Sequence, residues 1–154
     1  MSSDFMYQAI ALALKNIRDG GGPFAALVVK NGAVVASGAN RVTGTNDPTA
    51  HAEIVAIREA CKKLNSFQLD DCEIYTTCEP CPMCLGAIYW ARPVRVFYAS
   101  TASDAAAAGF DDAFIYDELQ TPSSKRRIPM TEMQRTEALV IFQEWSAKSD
   151  KTPY

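Results

Sequence analysis

The chain contains one histidine, His51; Glu53 follows two residues later, and a Pro-Cys-Pro-Met-Cys run places Cys81 and Cys84 further along. This pattern constrains the fold more than any other feature. Three soft or borderline donors can act together only if two segments distant in sequence converge on one point. A Cys pair at i, i+3 at a helix start points both sulfurs to one side. The positive end of that helix favours the thiolate, the form that binds a metal.

One histidine and two cysteines supply three ligands and leave a fourth tetrahedral position for water. This is the pattern of a catalytic zinc rather than a structural one. Zinc lowers the pKa of such a water to ~7, and a general base must then stand within hydrogen-bond reach. Glu53 is spaced for that role. A carboxylate on an otherwise apolar helix face would be costly without one. Cys78, Cys81 and Cys84 also form C-x2-C-x2-C, the opening of an iron–sulfur pattern. The fourth cysteine and proline that would complete it are missing, and the His51/Glu53 pairing would go unexplained. Cys78 therefore reads as the buried end of a strand, with Cys61 and Cys72 as core.

Around these motifs the chain reads as an α/β domain. Residues 4–18 form a helix that Gly20-Gly21-Gly22 stops. Phe24 to Val29 is an apolar run of strand length, Asn31-Gly32 signals a two-residue hairpin turn, and 33–38 returns. Asp47-Pro48 reads as a helix N-cap followed by proline at the first helical position. That helix runs to Leu64, with Ile54, Ile57, Cys61 and Leu64 on one face. Residues 73–77 form a strand, 81–91 a helix ended by Arg92-Pro93, and 94–99 a strand. A strand, a helix and a strand make a βαβ unit, so the two strands should run parallel with a right-handed crossover. The segments 114–119 and 137–147 read as helices, although Ala138 to Phe142 also fits a strand. We expect a three-layer αβα fold with a mixed five-stranded sheet and helices on both faces.

The length of 154 residues fits one domain, and 48% apolar with 21% charged residues is ordinary for a globular protein. Polar residues 120–128 set off 129–154 as a C-terminal tail. The net charge of −3 disfavours nucleic acid as a partner. The one basic run, Lys125-Arg126-Arg127, reads as a solvated loop. No targeting segment and no apolar stretch approaching the ~20 residues of a membrane span are present. The expected location is cytoplasmic, where the five cysteines stay reduced. Judged by local pattern alone, Phe24 opens an apolar strand, Asn40 suits a turn, Asp112 a helix cap, Trp90 packing, and Tyr154 a frayed end.

The H-x-E and P-C-x-x-C elements together are the signature of zinc deaminases acting on nucleobases. The chain resembles the cytidine-deaminase superfamily and, within it, the small bacterial guanine deaminases. The resemblance is carried by Gly21-Gly22-Pro23-Phe24, by Asn46 to Glu53, by Cys78 to Ala91, and by Ala108 to Tyr116, with the terminal Tyr154. It implies the cytidine deaminase-like fold and one zinc per subunit on His51, Cys81 and Cys84. It further implies hydrolysis of guanine to xanthine and ammonia, zinc-bound hydroxide as nucleophile, and Glu53 as proton shuttle. By the same resemblance Asn40 hydrogen-bonds the purine and Phe24 contacts its ring. The backbone at Ala52 orients the base, and Asp112 meets its N1 and 2-amino edge as a catalytic residue. Trp90 lies at the pocket wall. Tyr154 closes the pocket, supplied in some members by a tail swapped from the partner subunit of a homodimer. An alanine, Ala25, stands where the family pattern has glycine. The alternatives are a tRNA adenosine deaminase, a deaminase of guanosine, cytosine or aminotriazines, and a structural zinc or redox module.

Overall fold

The computed structural model describes residues 2–154. Contacts divide it into two compact units, residues 1–113 and 114–154. The first contains α1 (Ser2–Arg18), β1 (Ala25–Lys30), β2 (Ala33–Ala39), α2 (Val42–Thr45), α3 (Ala52–Leu64), β3 (Cys72–Cys78), α4 (Pro82–Ala91), β4 (Arg95–Ser100) and α5 (Ala102–Ala107). The second holds nearly all of α6 (Ala113–Gln120), a short 3-10 turn (Ser123–Lys125) and α7 (Arg135–Ala147). No helix among the described residues is long and apolar enough to cross a membrane.

The sheet has four strands in the order β2-β1-β3-β4. β1 runs antiparallel to both β2 and β3, and β3 runs parallel to β4 as the intervening helix requires. The Asn31-Gly32 turn forms as expected, with φ of 51° and 73°, the left-handed pair of a type I′ turn. The expected fifth strand does not form. Ala138 to Phe142 lies inside α7, where the apolar residues Leu139, Phe142 and Trp145 recur every three. A second correction concerns the start of α3. Asp47 does not cap a helix at Pro48. Its Oδ1 instead accepts from Thr49 N (2.9 Å) and Thr49 Oγ1 (2.7 Å), closing a local turn. The helix begins four residues later, with His51 in the N-cap position.

Helices cover both faces of the sheet, which is why β1 is apolar and buried from Ala25 to Val29 rather than alternating, with Lys30 at its end. Ala26, Val28 and Ile74 pack with Ala52, Ala56 and Ala60 of α3 and with Ile88 and Ala91 of α4. Leu27, Val29 and Tyr75 pack on the other face with Phe5, Met6, Ala9 and Leu12 of α1. The α3 side is built from alanines, so that helix sits close on the sheet. At Gly38 of β2 the approach is closest. A Cβ there would lie 2.3 Å from Ala52 O and 2.5 Å from Ala56 N. This contact fixes the first turn of α3, and with it His51 and Glu53.

Candidate functional site

The N-terminal ends of α3 and α4 meet beside the end of β3. His51 is the N-cap residue of α3 and Cys81 that of α4. Cys81 Sγ accepts from Cys84 N (3.5 Å), the Cys81 backbone is extended, and Pro82 takes the first helical position, as suits a helix start. His51 Nδ1 lies 3.5 Å from Cys81 Sγ and 3.5 Å from Cys84 Sγ. All three ligand atoms lie within 4.8 Å of one another.

This donor set fits zinc. Four ligands held about 2.0–2.3 Å from a tetrahedral zinc are separated by about 3.3–3.8 Å, the range in which both nitrogen–sulfur distances fall. The hydrogen bond from Cys84, with help from His51, pulls the Cys81 thiol down to about 4. Cys84 is pushed far above the ordinary thiol range by that same bond and by burial. The Cys81 contact raises His51 above its usual value. Among the described residues Cys78 does not join the group of ligand atoms formed by His51, Cys81 and Cys84, and its sulfur lies 3.8 Å from Thr101 O, so the iron–sulfur reading gains no support.

Glu53 is 6% exposed, a buried carboxyl at the edge of the donor set. Cys84 Sγ lies 3.4 Å from its Oε2 and Thr76 Oγ1 lies 3.2 Å from its Oε1. Burial raises its pKa. Among the described residues no buried side-chain nitrogen or oxygen lacks a hydrogen-bond partner. The carboxyl is therefore placed by design of its surroundings rather than stranded.

A cavity of about 580 Å³ opens over these groups, lined by Phe24, Asn40, His51, Glu53, Cys81, Phe110 and Asp112 among others. The rings of Phe24 and Phe110 meet edge to face, 5.0 Å apart at 86°. Asp112 is raised above its usual value by burial and then by the charge of Cys81. Asn16 at the end of α1 holds the rim, its Nδ2 donating to Gly22 O (2.8 Å) and Asn40 O (2.9 Å).

The cavity thus brings together six of the residues singled out in the sequence, with Cys84 directly behind them. Ala52 is fully buried under the cavity floor against Gly38 and does not line it. Trp90 is 65% exposed on α4, outside the lining. Ala25 is buried and also outside it, its N–H donating to Thr77 Oγ1 (3.1 Å). Tyr154 is an exposed residue at the end of the second unit. Phe110, Asn16 and Thr76 carry no individual signal in the sequence. Phe110 was legible as part of the Gly-Phe-Asp-Asp block, whereas Asn16 and Thr76 sit in patterns that read only as helix surface and strand core.

A mixed sheet flanked by helices, with one nitrogen and two sulfurs beside a buried carboxyl, defines a zinc-dependent hydrolytic enzyme. Residues 1–100 match the family described as the cytidine and deoxycytidylate deaminase zinc-binding region, and the chain belongs to that family. It is 56% identical to the guanine deaminase of Bacillus subtilis (strain 168) over 151 residues, 97% of each chain. The X-ray structure of guanine deaminase from Bacillus subtilis superimposes with a TM-score of 0.97 at 56% identity, covering 99% of this chain and 98% of that one. A tRNA-specific adenosine deaminase from Aquifex aeolicus (strain VF5) is 33% identical over 144 residues, 94% of this chain and 93% of the relative.

Proposed function

We propose that the chain is a guanine deaminase, converting guanine and water to xanthine and ammonia with one zinc ion per chain. The observation that carries this is the Glu53 carboxyl, buried at the edge of the His51, Cys81 and Cys84 donor set on the cavity floor. The whole-length likeness to a guanine deaminase supports the choice of base.

His51, Cys81 and Cys84 would hold the zinc, which when bound supplies the Lewis acid that makes water nucleophilic near neutral pH. Glu53 takes the proton from the attacking water. It gives that proton to a ring nitrogen and then carries the second proton, released from the added hydroxyl, to the departing amine, so the water ends as the new carbonyl oxygen and ammonia leaves. Asp112 suits the N1–H and 2-amino edge of guanine, which offers two donors to one carboxylate. Phe24 and Phe110, packed edge to face, form an apolar wall for a planar ring, and Asn40 offers an amide at the rim. A tRNA substrate is the weaker reading, because the tRNA-specific relative is 33% identical against 56% and the chain carries a net charge of −3.

We further propose a cytoplasmic homodimer in which residues 129–154 pack on a second copy. Support comes from the exposed Val140, Ile141 and Phe142 of α7, which need a cover. Light scattering reads this directly, and a monomer would overturn it.

Glu53→Gln tests the catalytic reading. The expected result is loss of turnover by at least ~100-fold, the scale of general acid–base catalysis, with zinc still bound one per chain. Turnover at the wild-type rate would overturn it.

A further inference from the structure

Thr76 lies on β3 among Ala26, Val28 and Ile74, on the face that packs against α3. It is 1% exposed. A valine has the same shape and would fill that space without a hydroxyl to satisfy, so packing alone does not call for threonine. The hydroxyl has two neighbours. Its Oγ1 is 3.2 Å from Glu53 Oε1 and 3.1 Å from the carbonyl oxygen of Cys78. Both neighbours are acceptors, and one hydroxyl proton serves one of them at a time.

The second oxygen of Glu53 faces Cys84 Sγ at 3.4 Å. A thiolate that ligates a metal has no proton to give, so in the zinc-loaded protein that sulfur cannot donate to the carboxylate. Among the described residues the hydroxyl of Thr76 is then the side-chain donor that remains on the carboxylate from the protein side. Held by Thr76 at Oε1, the carboxylate presents Oε2 toward the donor set and the cavity. The Cys78 carbonyl gives the hydroxyl a second place to point, so Thr76 can also accept from the carboxyl without leaving its own proton unpartnered.

We infer that Thr76 is a positioning residue for Glu53, aiming the carboxyl at the reacting atoms from behind while touching neither substrate nor metal. This rests on the reading of Glu53 as proton carrier.

The test compares Thr76→Val, Thr76→Ser and Glu53→Gln in the zinc-loaded full-length chain. Guanine is the substrate, and zinc content and melting temperature are measured on the same samples. Thr76→Val should lower kcat by about ten- to hundredfold, the scale of one hydrogen bond to a charged group. Its KM should stay within twofold and its zinc content should be unchanged. Thr76→Ser should restore most of kcat, since it returns the hydroxyl and loses only a methyl. Adding Thr76→Val to Glu53→Gln should cost little more than Glu53→Gln alone. Full kcat in Thr76→Val with Glu53→Gln inactive would overturn the positioning role and leave Glu53 standing. Equal losses in Thr76→Val and Thr76→Ser would reduce the residue to packing. Wild-type turnover in Glu53→Gln would overturn both readings.

Discussion

A Cβ on Gly38 would lie 2.3 Å from the carbonyl oxygen of Ala52, so β2 and the first turn of α3 meet backbone to backbone. Ala52 stands between His51 and Glu53, and the contact therefore sets the height of the metal ligand and the carboxyl together. Gly38→Ala must push helix and strand apart. We predict a loss of about 1–3 kcal/mol in urea unfolding, the range for overpacking a core, together with reduced zinc content. Wild-type stability in this variant would show that the approach is softer than the geometry implies.

Removing the metal tests the donor set. A chelator should abolish activity and lower the melting temperature, and stoichiometric zinc should restore both. Ligand present at 1,000 times its Kd stabilises by about 4 kcal/mol, so the shift should be easily read by calorimetry. Cys84→Ser and His51→Ala should bind zinc poorly and show no such restoration.

Asn16 tests whether the rim of the cavity is held from α1. Its two bonds to the carbonyls of Gly22 and Asn40 fix backbone rather than the reacting groups. Asn16→Ala should destabilise by about 1–3 kcal/mol, as expected for carbonyls losing a donor. It should also raise the KM for guanine severalfold with kcat within about twofold. A fall in kcat at constant KM would contradict this.

Alkaline stability should depend on Tyr75. The ring is 2% exposed and stacked on Phe97 at 4.6 Å, and its hydroxyl donates to Glu73 Oε2 at 3.0 Å. Burial and the Glu73 carboxylate both raise its pKa above 10.0. The folded state therefore holds the phenol proton more tightly than the unfolded chain. The resulting stability is present below pH ~10 and is lost as pH rises toward the folded value. The buried thiols of Cys72 and Cys78 are raised from 9.0 in the same sense, so the difference between wild type and Tyr75→Phe isolates the tyrosine. That difference should shrink as pH is raised from 9 to 11 in urea titrations.

The parts of the fold that depend on local pattern were legible in the chain. Asn31-Gly32 announces its hairpin, and strand, helix and strand at 73–99 announce a parallel pair. His51, Glu53, Cys81 and Cys84 announce a metal site with a base. What stayed hidden depends on pairs of distant residues. Pro48 looks like a helix start, but Asp47 spends its carboxylate on Thr49. Ala138 to Phe142 is apolar enough for a strand, and nothing local says that it continues a helix. Thr76 is one more β-branched residue in a strand until Glu53 is seen 3.2 Å away. Gly38 reads as a gap in a strand until α3 is laid on it.

The choice of base rests on Asn40, Asp112 and the likeness to a guanine deaminase, and it is the point on which the account stands or falls. The deciding measurement is ammonia release by the purified, zinc-loaded chain offered guanine, guanosine, adenine, cytosine and a tRNA in parallel. The account predicts ammonia and xanthine from guanine, with the others far slower. Ammonia from the tRNA or from cytosine, with none from guanine, would contradict it.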